Sequence, residues 1–140
     1  MASKSGISTG ALLRYLLISS EYIKNTVSDV FPCVAFEETL LPYIQYYAQG
    51  ISSREVKTGS GIDKMLYDVV IYSAEYDQAI ELAEAVRKAT AGVRATEGDL
   101  YINNIRVTNF ATRWAGDSYE VTLRLELTTN SLNSNITTNA

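Results

Sequence analysis

A chain of 140 residues, 46% of them hydrophobic, is long enough to fold as one domain around its own core. It contains no histidine and a single cysteine, Cys33, which excludes Ser-His and Cys-His nucleophile pairs, nearly every zinc site and any internal disulfide. The net charge of −4 argues against general nucleic-acid binding, which needs clustered Lys and Arg. One cysteine is typical of a reducing compartment, and we expect Cys33 to be a small buried hydrophobe. No apolar run approaches the ~20 residues of a membrane span, and we expect no secretion signal.

The first forty residues predict one amphipathic helix and a short second helical turn. The first helix begins near Ser8 or Thr9, either of which can cap it. A new cap at Ser20 predicts the short turn, and Pro32 ends any helix because it forces the preceding residue into extended geometry. Residues 34–41 are predicted to form a loop or a short edge strand. The leucines that should face the core are Leu12, Leu13, Leu16 and Leu17.

Residues 42–72 predict a long β-hairpin with an apolar base and a polar tip. Two segments rich in Tyr, Ile and Val flank a Gly-containing middle, where glycine supplies the positive φ of a tight turn near Thr58-Gly59 or Gly59-Ser60. The polar limbs, residues 52–63, are predicted to protrude roughly 20 Å beyond the sheet at ~3.3 Å per residue. The apolar faces that should pair are Ile44, Tyr46 and Ala48 on one limb and Met65, Tyr67, Val69 and Ile71 on the other.

Residues 74–90 carry the clearest helical pattern in the chain. Acidic residues come early and basic residues late, as the helix macrodipole favours, and Ala91-Gly92 is a natural stop. Glu81 and Glu84 share an exposed face, where a solvated helix surface is favoured over a catalytic pair. The predicted buried stripe is Tyr76, Ala79, Ile80, Ala83 and Val86.

The C-terminal part predicts a second hairpin whose register can be derived from the alternation of its residues. Apolar residues keep one phase throughout the last strand, from residue 119 to 128, but change phase within its partner. We therefore predict a β-bulge at about Thr108 to Asn109. The predicted pairs are Trp114 with Tyr119, Phe110 with Leu123, Val107 with Leu125 and Ile105 with Leu127.

Together these elements predict an α+β fold in which two hairpins form an antiparallel sheet, two main helices pack on one face and the long hairpin protrudes. Residues 1–128 form the single domain. Residues 129–140 are a polar Asn/Thr/Ser arm that is disordered or held by a neighbour, because it cannot bury enough surface to order itself.

No combination of residues supplies a nucleophile, a base and an orienting group, so we predict no enzyme and no catalytic, cofactor-binding or metal-binding residues. The ten tyrosines lack the interleaved Lys and Arg of a base-stacking surface. Core or protein-interface use is favoured for them, since tyrosine combines a large apolar body with a polar tip.

The order of these elements resembles the small tail-completion proteins of long-tailed bacteriophages, the tail-terminator or head-tail joining family. The likeness covers residues 11–128. It rests on Val30-Phe31-Pro32, Leu41-Pro42-Tyr43-Ile44, the Ala-rich helix with Val86-Arg87, and the alternating last strand. The chain departs from the family in its longer polar hairpin middle and in the tail after Thr128.

The resemblance implies a virion subunit, assembled in the host cytoplasm, that forms a ring, commonly hexameric, on the head-proximal end of the tail tube. The ring would stop tube growth and join the tail to the head connector. Its partners would be further copies of itself, the tail tube protein and connector or neck proteins, with DNA passing through without sequence-specific contact and with no membrane. The hairpin ribbon would reach adjacent subunits or the tube through Arg54, Glu55, Val56, Lys57, Thr58, Ile62 and Asp63.

Two other functions fit the sequence. The chain could be another neck or tail-tube subunit, which would polymerise into long stacks instead of stopping at one ring. It could also be a cellular α+β regulatory domain that binds a small ligand, which would be monomeric or dimeric and stabilised by that ligand.

Overall fold

In a computed structural model, which describes residues 5–55, 61–97 and 100–131, the chain folds as helices packed on one face of a six-stranded sheet. The helices are a 3-10 turn η1 (Gly6–Thr9), α1 (Gly10–Ile18), α2 (Glu21–Thr26) and α3 (Tyr76–Thr90), and the strands are β1 (Val30–Pro32), β2 (Tyr43–Glu55), β3 (Gly61–Ser73), β4 (Ala95–Glu97), β5 (Leu100–Trp114) and β6 (Tyr119–Ser131). The strand order is β1-β2-β3-β6-β5-β4; β1 and β2 run parallel and all other neighbours are antiparallel. The α+β prediction is confirmed, with one parallel pair added.

The core lies between the helices and one face of the sheet. Strand residues of odd number in β3 and β6 point to the helices, where Leu13 and Leu17 of α1 are fully buried as predicted. Leu12 and Leu16 are partly buried beside them. The largest fully buried side chains on the sheet are Ile44, Ile71, Leu100, Ile102, Ile105, Leu125 and Leu127.

The register predicted for the second hairpin is confirmed in every pair. Trp114 lies opposite Tyr119, and the register shifts between Val107 and Asn109, where the bulge was predicted. A further shift between Ile102 and Asn104 was not predicted. The remaining predicted pairs, Phe110 with Leu123, Val107 with Leu125 and Ile105 with Leu127, are all present.

The first hairpin also pairs as predicted at its base but does not stand free at its polar end. Ile44 lies opposite Ile71 and Tyr46 opposite Val69, and an unpredicted bulge follows between Ala48 and Gly50. Strand β3 pairs with β6 over its whole length, from Gly61 opposite Ser131 onwards. The prediction of a protruding ribbon is therefore wrong for the described limbs. Strand β6 continues past Thr128 and pairs with β3 as far as Gly61, so these limbs belong to the sheet. The predicted turn lies outside the described residues.

Three local predictions need correction. In α3, Leu82 is fully buried while Tyr76 is 45% exposed, because the helix meets the sheet on a face rotated from the predicted stripe. Cys33 is exposed, so the prediction that it is buried is wrong, whereas residues 34–41 form a loop, one of the two predicted alternatives, which follows β1 (Val30–Pro32). The polar arm was predicted to start at residue 129, yet β6 includes Thr129, which is 1% exposed; residues 132–140 lie outside the described residues.

Candidate interaction surfaces

The seven residues predicted for a hairpin interface have different surroundings. Arg54 is exposed and Ile62 is half-buried, while Glu55 is described only as part of strand β2. Val56, Lys57 and Thr58 lie outside the described residues. Asp63 is 9% exposed, which is unusual for a carboxylate unless its oxygens are hydrogen-bonded.

The Asp63 carboxylate joins the hairpin to the N-terminal turn of the chain. The Gly6 backbone N–H donates to its Oδ2 at 2.8 Å, and the Ser53 hydroxyl donates to its Oδ1 at 2.6 Å. Gly6 lies so close that a Cβ there would come within 2.7 Å of the Asp63 Cβ. Turn η1 therefore covers the polar end of the sheet on the helix side, and an interface role for Asp63 stays a prediction.

The helix-free face of the sheet carries paired charges. Arg124 Nε donates to Asp68 Oδ1 at 2.9 Å and Gln49 Nε2 donates to Asp68 Oδ2 at 2.7 Å, which accounts for the near-complete burial of Asp68 at 4% exposure. The hydrogen bond and the charge of Asp68 raise the pKa of Arg124 above its ordinary value. Cross-strand ion pairs between Arg106 and Glu126 and between Arg113 and Glu120 complete the face, so these six charges cancel.

Aromatic packing stabilises one corner of that face. The Tyr43 and Tyr72 rings stack with centroids 4.8 Å apart, and the Tyr72 hydroxyl donates to Gln45 Oε1 at 3.1 Å. Burial, with a smaller contribution from Glu120, raises the pKa of Tyr72 to about 12. This corner uses tyrosine in the way expected of structural packing.

Strand β5 forms an open edge of the sheet that exposes large aromatic side chains. Strand β4 covers only Leu100 to Ile102 of β5, so the outer edge from residue 103 onwards has no strand partner in the described part of the chain. Phe110 is 53% exposed and Trp114 is 55% exposed. Open strand edges and large exposed aromatic side chains are both features of association surfaces.

A small groove lies beside this edge, on the helix side of the sheet, and we call it the α3–β5 groove. Its volume is about 220 Å³, and it is lined by Ile80, Ala83, Glu84, Arg87, Val107, Phe110 and Leu123. Most of its wall is apolar, and its charged members are one acid and one base from α3.

The opposite end of the sheet exposes a second apolar surface. Strand β1 covers only Ile44 to Tyr46 of β2, and the loop that follows β1, residues 33–42, carries three apolar side chains that are more than 70% exposed. These are Val34, Phe36 and Leu40, which are 71%, 81% and 76% exposed. Phe36 touches the Phe31 ring edge-on at 5.7 Å and otherwise faces outwards. We call this surface the Phe36 loop.

Neither exposed surface was singled out from the sequence. Phe110 and Trp114 have the alternation of core residues, yet both lie on β5 beyond the segment that β4 covers and are more than half exposed. Phe36 precedes two glutamates, Glu37 and Glu38, which is a weak signal for a surface loop. The tertiary structure therefore decides which aromatic side chains are exposed.

A hollow of about 490 Å³ between α1, α2 and α3 does not bring together a catalytic set of side chains. It is lined by Leu16, Ser19, Ser20, Tyr22, Ala85, Lys88 and Ala89. Over residues 5–55, 61–97 and 100–131, no group of three or more His, Cys, Asp or Glu side chains is arranged to hold a metal ion. Within the same residues no helix is both long enough and apolar enough to span a membrane.

Comparison with known proteins identifies a shared fold. No protein-family model matches the sequence, and no curated protein matches it. Among solved structures, the fold is similar to that of a chain in the virion of a native gene transfer agent (GTA) particle. The TM-score is 0.60, the sequence identity is 15%, and the match covers 86% of this chain and 86% of that chain. The two chains therefore share a fold over most of their length.

Proposed function

We propose that this chain is a structural virion subunit of a long-tailed bacteriophage that forms a ring at the head-proximal end of the tail tube. The ring ends tube polymerisation and joins the tail to the head connector. The observation that carries this proposal is the shared fold with a chain of a GTA virion over 86% of both chains. The order of elements that resembles the tail-completion family supports it independently.

The surfaces of the chain suit assembly. Exposed apolar side chains lie at both ends of the sheet, at Phe36 on one side and at Phe110 and Trp114 on the other. A subunit with two separate association surfaces can contact two neighbours at once, as a member of a ring must. On the helix-free face three acids pair with three arginines, as Asp68 does with Arg124, so these six charges cancel.

The test combines mass measurement with electron microscopy of the purified full-length chain. We expect a closed oligomer of uniform mass, ring-shaped particles in negative stain, and tails of normal length when the protein is added to polymerising tail tubes. Long stacks of the protein alone would instead identify a tube subunit. A monomer that leaves tube length unchanged would contradict the proposal.

A truncation examines the hairpin tip. Deleting residues 54–62 and closing the limbs with a short turn should leave a folded protein, because the base of the hairpin carries the core residues Ile44, Met65 and Ile71. If the tip contacts neighbours or the tube, the shortened protein should no longer cap tails. If the shortened protein capped tails normally, the hairpin tip would not be part of the interface.

A further inference from the structure

We infer that the Phe36 loop of one copy of this chain docks in the α3–β5 groove of a second copy, which joins the subunits head to tail. The inference deepens the proposed ring function and rests on it, because it names the surfaces that meet. It uses two features that the fold of a single chain leaves unexplained: a largely exposed phenylalanine and an apolar groove beside an open strand edge.

The two surfaces cannot meet within one chain. The Phe36 loop follows β1, the first strand of the sheet, and the groove lies beside β5, the fifth of six. Four strand spacings of ~4.8 Å separate β1 from β5 by roughly 19 Å. Each surface must therefore find its partner on another copy or remain exposed.

The dimensions of the groove fit one large side chain. At about 220 Å³ it is smaller than the roughly 300–1,000 Å³ of typical small-molecule sites. Its walls include Ile80, Val107 and Leu123, and the Phe110 ring lies at its exposed side. An incoming phenyl ring would bury apolar surface and could pack edge-to-face on Phe110, the arrangement that Phe36 already makes with Phe31.

Charges specify the orientation of the contact. Glu37 and Glu38 follow Phe36 directly and are exposed, and the groove presents Arg87 one helical turn after Glu84. If the loop enters with its glutamates towards Arg87, opposite charges pair. The reverse orientation would place three carboxylates together, which disfavours it.

The docking is heterologous, since different surfaces of the two copies meet. Each docked copy leaves its own groove free for the next copy, so the contact repeats around a ring and closes if the rotation allows. The open outer edge of β5 beside the groove can add backbone hydrogen bonds to the incoming segment. A contact of this kind needs no second type of subunit.

The experiment compares the oligomeric state of full-length variants by light scattering and mass photometry. Phe36→Ser should weaken association by about 30-fold or more, as truncation of a central interface anchor does. Tyr15→Ser is the matched control, because Tyr15 is another exposed aromatic residue, 62% exposed, on α1. Each variant is first shown to retain the melting temperature of the wild type.

A charge reversal provides the second arm. Arg87→Glu alone and the pair Glu37→Lys with Glu38→Lys should each weaken association, and all three substitutions combined should recover at least part of it. If the single reversals weakened association only by damaging the fold, combining them would not restore association.

The outcomes separate this inference from the proposed function. Rings from wild type and Tyr15→Ser but not from Phe36→Ser would support the contact. Rings from Phe36→Ser as well would overturn the contact and leave the ring function standing. A wild type that is monomeric at every concentration and does not cap tails would overturn both.

Discussion

The Asp63 carboxylate provides the sharpest distinction between an internal role and an interface role for the polar end of the long hairpin. Asp63→Ala removes the acceptor of the buried Gly6 N–H and of the Ser53 hydroxyl, which donate at 2.8 and 2.6 Å. A hydrogen bond to a charged group contributes about 1.5–3 kcal/mol, and an orphaned buried donor adds to its loss. Ser53 is exposed and can rebind water, so we count mainly the Gly6 bond.

The expected loss in unfolding free energy is about 2–3 kcal/mol, which corresponds to a fall in melting temperature of about 6–10 °C for a domain of this size. Asp63→Asn keeps an acceptor for Gly6 and should cost about 1 kcal/mol. Arg54→Ala, on the exposed part of the same limb, should change stability by no more than about 0.5 kcal/mol. Urea denaturation of the three variants measures these differences.

Assembly measurements on the same variants complete the experiment. If Asp63→Ala left the unfolding free energy at the wild-type value while abolishing ring formation, the internal role would be refuted and Asp63 would belong to the interface. Loss of stability by Asp63→Ala together with unchanged stability of Arg54→Ala would establish the internal role.

Three further predictions concern the core, the tyrosine cluster and a turn. Leu82→Ala should lower the unfolding free energy by about 2–5 kcal/mol, because Leu82 is fully buried. Tyr76→Ala should lower it clearly less, because Tyr76 is 45% exposed. Denaturation curves in which Tyr76→Ala is the more destabilising change would contradict the orientation of α3. Because burial raises the pKa of Tyr72 from 10.0 to about 12, its contribution to stability is full below pH 10 and is lost as the pH rises through 12, since the unfolded chain releases the proton first. Tyr72→Phe should therefore flatten the alkaline fall in unfolding free energy, and an unchanged fall would exclude this assignment. Gly116 has a φ of +96°, so Gly116→Ala should lower the unfolding free energy by about 1 kcal/mol in chemical denaturation. Gly50→Ala should lower it less, because there is open space around the Cβ position. Equal losses of unfolding free energy would count against backbone strain at Gly116.

Alternation and capping residues carried much of the fold prediction. The phase change of apolar residues between Val107 and Phe110 located the bulge, because a strand with one buried face must keep its apolar residues on that face. The Ser20 side chain caps α2 at the Ile23 N–H, as its position before Glu21 predicted. Alternation and capping act between residues that are close together in the chain, so both can be recognised from the sequence alone.

The sequence did not predict which strand residues are buried by other segments of the chain. Asp63 looked like part of a free polar ribbon, but η1 and β6 enclose it, and these contacts join residues more than fifty positions apart. Phe110 and Trp114 share the phase of core residues in the sequence, yet they are 53% and 55% exposed on the open edge strand β5.

The sequence by itself determined the α+β composition, the two hairpins and their pairing, since period, capping and turn chemistry act between near neighbours along the chain. The tertiary structure alone decided which faces remain free. A side chain is exposed or buried according to what distant segments place over it, and this is why the Phe36 loop and the α3–β5 groove became visible only in the folded molecule.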